Sequence, residues 1–567
     1  MHDISELPPP KRTRSFSFYT VLIFAVLPLW ASIPVAWVYA ARSLYYQSWS
    51  QSLSQKILCF FACCEVVFSI YHYFLARRVS GPAPYGPGDP QEIQTSYVRL
   101  LKSGLANLPK DGGDIETLHV DRPGSPAETI TQLERHDPRA IDFRHSLRTW
   151  FMKVPFSTIT MREMHQWLYW AMYNADLPCP EEVPEIHRAA LDEAIALLEK
   201  RMGAKFEHKE SSGATPMRLT IDRTNILWRP LWFYTIVSIL NWCLQKFYIH
   251  KWGIQYGTSN GVEYLLRNCK NWDPSTSPRP LVFIHGLGLG LLQYHTLIAQ
   301  FVADYTDRPI LILLQPQISQ NFFHPQFLKP YSRHKTAEKL ALLLNDMGWV
   351  DLGVLNNAAD LLHEEKAVEV SLVDVDIPDS QRGVTIVSHS NGSYMHAWML
   401  KNYSEIVGRS CFVDPVTFCS WEGGMLNIDV CYNFFYRPCM TGMELLMRYF
   451  VGTELGVANL LQRHFCWTSN SLWFEEIPNA RDPAKTLFVL GGKDDIVHSE
   501  RVKTYLTSHG VRENLWYDPD GKHGQALLPG SPGINTVLRW LSQEKELEAE
   551  NWNEKGMEDE DEPGTTN

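Results

Sequence analysis

Five residues carry the chemistry this chain could perform: Ser388-His389-Ser390-Asn391-Gly392. They follow the apolar run Val384-Thr-Ile-Val, so the stretch reads as a buried strand, a tight turn at Ser390 and the first turn of a helix. Such a turn, usually G-x-S-x-G, strains its central serine and lifts the hydroxyl above the sheet edge. Ser388 replaces the first glycine, where the demand is for a side chain small enough to let helix and strand pack closely. A serine hydroxyl is a poor nucleophile at neutral pH, so attack by Ser390 requires an adjacent base to take its proton. Read alone, the pentapeptide is better explained as a surface turn after a buried strand.

Three more segments place small residues around polar ones: His285-Gly286-Leu287-Gly288, Gly491-Gly-Lys-Asp-Asp-Ile-Val497 and Gly521-Lys-His-Gly524. The first two directly follow apolar runs. The runs at 281–285, 310–314, 384–388, 411–413 and 487–490 are short and continuous, as buried parallel strands require, and helical segments separate them. That alternation predicts a doubly wound, mostly parallel α/β sheet.

In this order the segments resemble the α/β-hydrolase superfamily, over about residues 275–420 and 482–542. The whole layout resembles membrane-anchored fungal α/β-hydrolases. The resemblance implies Ser390 as nucleophile, His523 as base and Asp494 as the acid that orients it, with Asp495 and Asp414 as alternative acids. The N–H groups of Leu287 and Asn391 would form the oxyanion hole. It implies acyl-ester hydrolysis through an acyl-enzyme, of the esterase, lipase or lysophospholipase kind. An acyltransferase on the same chemistry, or a catalytically silent interaction module, are the alternatives.

Other chemistries find less support. Gly286-x-Gly288-x-Gly290 lacks the third glycine of a dinucleotide fingerprint, since Leu291 stands there, and the next strand ends in Gln315 where an acidic residue belongs. His363-Glu364-Glu365-Lys366-Ala367 lacks the second histidine of a zinc protease. Eleven cysteines occur without a C-x-x-C pair, which fits a reducing compartment, and no cofactor or metal is implied. Ten acidic and two basic residues between 544 and 562 account for −8 of the net charge of −11. The rest of the chain is near neutral, and no nucleic-acid partner is expected.

Residues 15–41 are uncharged and apolar, long enough to cross a bilayer, with Pro28 and Pro34 expected to kink them. A second run at 57–76, interrupted by Glu65, makes a membrane hairpin of residues 1–80. Its basic ends favour the cytosol. The Pro/Gly stretch 81–90 reads as a linker, 91–250 as a helical region and 226–247 within it as an apolar membrane-associated helix. The hydrolase domain is expected over 251–542, with an acidic insertion at about 350–382 and an aromatic helical cap at about 416–480, and an acidic disordered tail over 543–567. These features predict a partner in membrane lipids and an apolar acyl-ester substrate. The expected location is an intracellular membrane, such as the endoplasmic reticulum or a lipid droplet, with the hydrolase domain in the cytosol.

Overall fold

The structure is a computed structural model that describes residues 3–9, 11–46, 52–84, 86, 88–105, 129–209, 213–353, 383–419 and 432–544. The His363 segment, most of the acidic insertion, the first part of the cap (420–431) and the acidic tail from 545 lie outside the described residues.

Helices α1 (Phe16–Tyr45) and α2 (Leu53–Val79) are both long and apolar enough to cross a membrane. They pack along each other, with Trp37 Nε1 donating to Ser69 Oγ at 2.9 Å. Pro28 and Pro34 both lie inside α1, Pro28 just after a π turn at Leu22–Val26 and Pro34 within the regular helix that follows. Glu65 on α2 accepts the N–H of Leu231 at 2.8 Å.

Helices α3 (Pro90–Lys102), α4 (Pro138–Leu147), α5 (Met161–Tyr173) and α6 (Glu185–Met202) follow. The apolar faces read from the sequence, Met164, Trp167 and Leu168 on α5 and Leu191, Ile195 and Leu198 on α6, are buried in a core continuous with that of the sheet. Helix α7 (Leu231–Trp252) begins five residues into the apolar run 226–247, because Pro230 precludes helix before it. The buried Arg229 instead donates to the carbonyls of Leu227 and Thr453.

One sheet of eight strands organises the rest, in the order β1-β2-β4-β3-β5-β6-β7-β8. The strands are β1 (Gln255–Ser259), β2 (Val262–Arg267), β3 (Leu281–Ile284), β4 (Ile310–Leu314), β5 (Val384–His389), β6 (Val407–Val413), β7 (Thr486–Gly491) and β8 (Leu515–Asp518). β1–β2 and β2–β4 pair antiparallel and all other pairs are parallel. Helices α8 (Leu291–Asp304), α9 (Arg333–Asp346), α10 (Gly392–Tyr403) and α13 (Ser499–Ser508) accompany the strands, while α11 (Gly442–Met447), which packs on α1, and α12 (Leu455–Arg463) lie in the cap between β6 and β7.

Strand order dictates where chemistry can occur. The chain passes from β3 outward to β4 and then returns to β5 on the other side of β3, so the loops after β3 and β5 diverge and leave a crevice at the carboxyl ends. The register places Ile284 opposite Ser388 and His389 opposite Val413. His285-Gly286, Ser390 and Asp414 therefore emerge side by side.

Candidate active site

Ser390 leaves β5 with φ +52°, a conformation a non-glycine residue rarely adopts, held by its N–H to the Val413 carbonyl at 3.1 Å. Helix α10 starts at once, and its first residue explains the glycine of the pentapeptide. A Cβ on Gly392 would lie 2.3 Å from the Ile284 carbonyl oxygen. Ser388 occupies the other small position fully buried, its hydroxyl 2.9 Å from His396 Nδ1.

His523, in the turn after β8, places Nε2 2.9 Å from Ser390 Oγ. Its Nδ1 lies 2.6 Å from Asp494 Oδ2, in the loop after β7. The other Asp494 oxygen accepts the N–H groups of Ile496 and Val497 at 2.7 and 2.8 Å, which fixes the carboxylate. Asp495 beside it is exposed. Asp414, after β6 with φ +42°, gives Oδ1 to the Gly491 N–H (2.9 Å) and Oδ2 to the Gly524 N–H (2.7 Å). It joins the loops that carry Asp494 and His523 without bonding either side chain.

Burial alone would lower the His523 pKa, but the charge and hydrogen bond of Asp494, with the charge of Asp414 behind it, raise it to about 8. Burial pushes Asp414 up to about 6. Burial holds His285 down at about 4, and burial together with neighbouring imidazoles holds His389 well below its usual value. Both stay neutral beside His523. Asp414, Asp494 and His523 are close enough together to ligate an ion. Their donor atoms are already engaged in the bonds just described.

The loop after β3 closes the site. A Cβ on Gly286 would come 2.8 Å from Ser390 Cβ, so the loop lies directly against Ser390. Among the described residues no group accepts from the N–H of Leu287 or of Asn391. Tyr294 fixes this loop: its hydroxyl accepts the Gly286 N–H at 3.0 Å and lies 2.7 Å from His389 Nδ1. Gln315 adds a bond from Nε2 to the His285 carbonyl at 2.9 Å. Sequence reasoning missed Tyr294, Gln315 and the bridging geometry of Asp414, because no local spacing ties Tyr294 to a histidine 95 residues away.

The serine turn after β5, a carboxylate loop after β7, a histidine turn after β8 and a loop with free N–H groups after β3 follow the layout of the α/β-hydrolase fold. No family model and no curated protein matches the chain. Solved structures that resemble it include a bacterial membrane phospholipase A described as a virulence factor (14% identity, 55% of this chain and 94% of that one, TM-score 0.32). Carboxylesterase CesB of Bacillus subtilis (12%, 54% and 98%, 0.32) and an α/β-hydrolase from a lagoon-sediment metagenome (15%, 52% and 99%, 0.28) are others.

Proposed function

We propose that the chain is a membrane-bound serine hydrolase that cleaves acyl esters of lipids. The observation that carries this reading is the unbroken relay Ser390 Oγ–His523 Nε2 at 2.9 Å and His523 Nδ1–Asp494 Oδ2 at 2.6 Å. Neutral His523 takes the Ser390 proton as the hydroxyl oxygen attacks the ester carbonyl. The negative charge forming on the carbonyl oxygen meets the N–H groups of Leu287 and Asn391. Each such donor lowers a barrier of this kind by about 3 kcal/mol. Protonated His523, stabilised by Asp494, hands its proton to the departing alcohol. Water, deprotonated by the same ring, then hydrolyses the acyl-enzyme.

The surroundings support an apolar substrate held at a membrane. A cavity of about 80 Å³ beside Asn391 is lined by Tyr394, Met395, Trp398, Leu461 and Phe465. The two N-terminal helices supply the membrane anchor. A fluorophosphonate probe tests the reading: it should label the wild-type protein and leave Ser390→Ala unlabelled. Equal labelling of the two would refute it and leave the silent module as the better account.

A further inference from the structure

We propose that α7 is a third membrane element: its outward stripe contacts the lipid bilayer that receives α1 and α2, and holds the oxyanion loop at the lipid surface. This rests on the membrane-bound reading above and extends it to a named face of the hydrolase body.

One side of α7 buries Tyr234, Val237 and Tyr248. The other exposes Ile236, Leu240, Cys243 and Phe247, spaced three or four apart along one face, with Ile239 beside them. Helix α7 contains no acidic residue, and its exposed charges, Lys246 and Lys251, gather toward its C-terminal end. An apolar stripe ending in cations matches the passage from hydrocarbon to anionic head groups.

Contacts with the hairpin decide which medium covers the stripe. Both Glu65 oxygens accept the Leu231 N–H, at 2.8 and 3.1 Å, and Trp232 Nε1 donates to Ser32 Oγ of α1 at 3.2 Å. Phe68 packs on Tyr234 with ring centroids 5.9 Å apart. Glu65 lies near the middle of α2, so a hairpin that enters lipid takes the N-terminus of α7 with it. An unpaired carboxylate at that depth is strongly disfavoured. The free N–H groups at the start of α7 offset this by donating to it and facing its charge.

The same helix reaches the candidate active site. Asn241 Nδ2 donates to the Leu289 carbonyl at 2.9 Å and its Oδ1 accepts the Leu292 N–H at 3.3 Å, so α7 brackets the loop that carries Leu287. A cavity of about 350 Å³ between them is lined by Asn241, Trp242, Gln245, His285, Gly290 and Gln315. Trp242 is 58% exposed and His285 2%, so the cavity runs from the surface of α7 inward to the loop.

The test uses two native cysteines, both exposed: Cys243 in the stripe and Cys179 between α5 and α6. The full-length protein is placed in phosphatidylcholine nanodiscs and treated in turn with a charged, membrane-impermeant maleimide and with a lipophilic pyrene maleimide. The impermeant reagent should modify Cys179 at least about tenfold faster than Cys243, and the pyrene reagent should modify Cys243. Equal impermeant rates would place the stripe in water and overturn the proposal. Modification of Cys243 by neither reagent would mean that protein covers it, which overturns the proposal equally. Failure of the protein to enter the nanodiscs would remove the membrane reading itself. The measurement needs no catalysis, so a parallel loss of fluorophosphonate labelling would count against the enzyme reading alone.

Discussion

Asp494 and Asp414 follow the neighbouring strands β7 and β6 and flank the same imidazole, yet only Asp494 touches it, at 2.6 Å from His523 Nδ1. Asp414 gives one oxygen to each of two loops, those of Gly491 and Gly524. One carboxylate thus meets the imidazole, and the other holds the Gly491 and Gly524 loops at a fixed separation.

Substitution separates the two roles. Asp494→Asn keeps the shape but removes the charge that sets the His523 tautomer, and kcat should fall by about 10⁴. Asp414→Asn can accept on only one oxygen, which leaves a buried N–H facing an amide N–H. The expected cost is about 1–3 kcal/mol of stability, with a smaller loss of kcat. Denaturant midpoints and rates on a water-soluble p-nitrophenyl ester measure both. A larger kcat loss in Asp414→Asn than in Asp494→Asn would reverse the assignment.

The raised pKa of His523 makes a prediction whose two parts run in opposite directions. Only the neutral ring can accept the Ser390 proton, so kcat/KM should rise with pH to a plateau above about 8. The folded-state value exceeds the ordinary 6.5, so the linked stability is fully present below 6.5 and is lost as pH rises through about 8. Its size is on the order of 2 kcal/mol. Between these limits the enzyme should gain rate while losing stability, and Asp414→Asn should move the rate midpoint downward. pH-rate profiles with parallel thermal melts check this, and a flat profile from pH 6 to 9 would contradict it.

At the nucleophile turn the two small residues should behave differently. Gly392→Ala places a Cβ against backbone atoms of Ile284 and His285 that cannot yield, at a cost of about 1–3 kcal/mol or more and with a displaced Ser390. Ser388→Gly restores the commoner motif but strips His396 Nδ1 of its partner in a buried site. A loss of about 1–3 kcal/mol is expected there, with nearly unchanged kcat. Thermal denaturation together with fluorophosphonate labelling rates would distinguish a stability defect from a catalytic one.

The strands around the candidate site are legible in the sequence because strands buried on both faces must be largely apolar: β3 and β4 are apolar throughout, and β5, β6 and β7 each contain an apolar run even though β6 also holds Arg409 and Ser410. β1, β2 and β8 escape such a reading because their residues are half-exposed, and runs such as Gln255–Ser259 carry polar groups that blur any pattern. Chain order indicates which loops meet, but spacing cannot show where a carboxylate points, so only the folded chain decides among Asp414, Asp494 and Asp495. Glu65 looks like a liability in an apolar run. Its partner, the Leu231 N–H, lies 166 residues away, beyond the reach of any local pattern.

The amino-terminal edge of the sheet, opposite Ser390, provides a control for all of these. Glu544 is 2% exposed and lies 2.7 Å from Arg308 Nη1, 2.9 Å from Arg279 Nη1 and 3.2 Å from Arg409 Nη1. Burial alone would raise its pKa, but the three guanidiniums outweigh burial and hold it below the ordinary value. Its contribution is therefore present at neutral pH and is lost as pH falls through that depressed value. Glu544→Gln removes the counter-charge shared by two buried cations, Arg308 and Arg409, and the partly exposed Arg279, for which about 3–5 kcal/mol is expected. That corresponds to a Tm lower by on the order of 10 °C. Since Arg279 and Arg308 precede β3 and β4 and Arg409 lies near the start of β6, the loss falls on the strand ends remote from the relay. At 25 °C, kcat/KM should stay within about twofold of wild type, the additivity limit for distant sites. A large kcat change with intact Tm would show that the sheet transmits strain to Ser390.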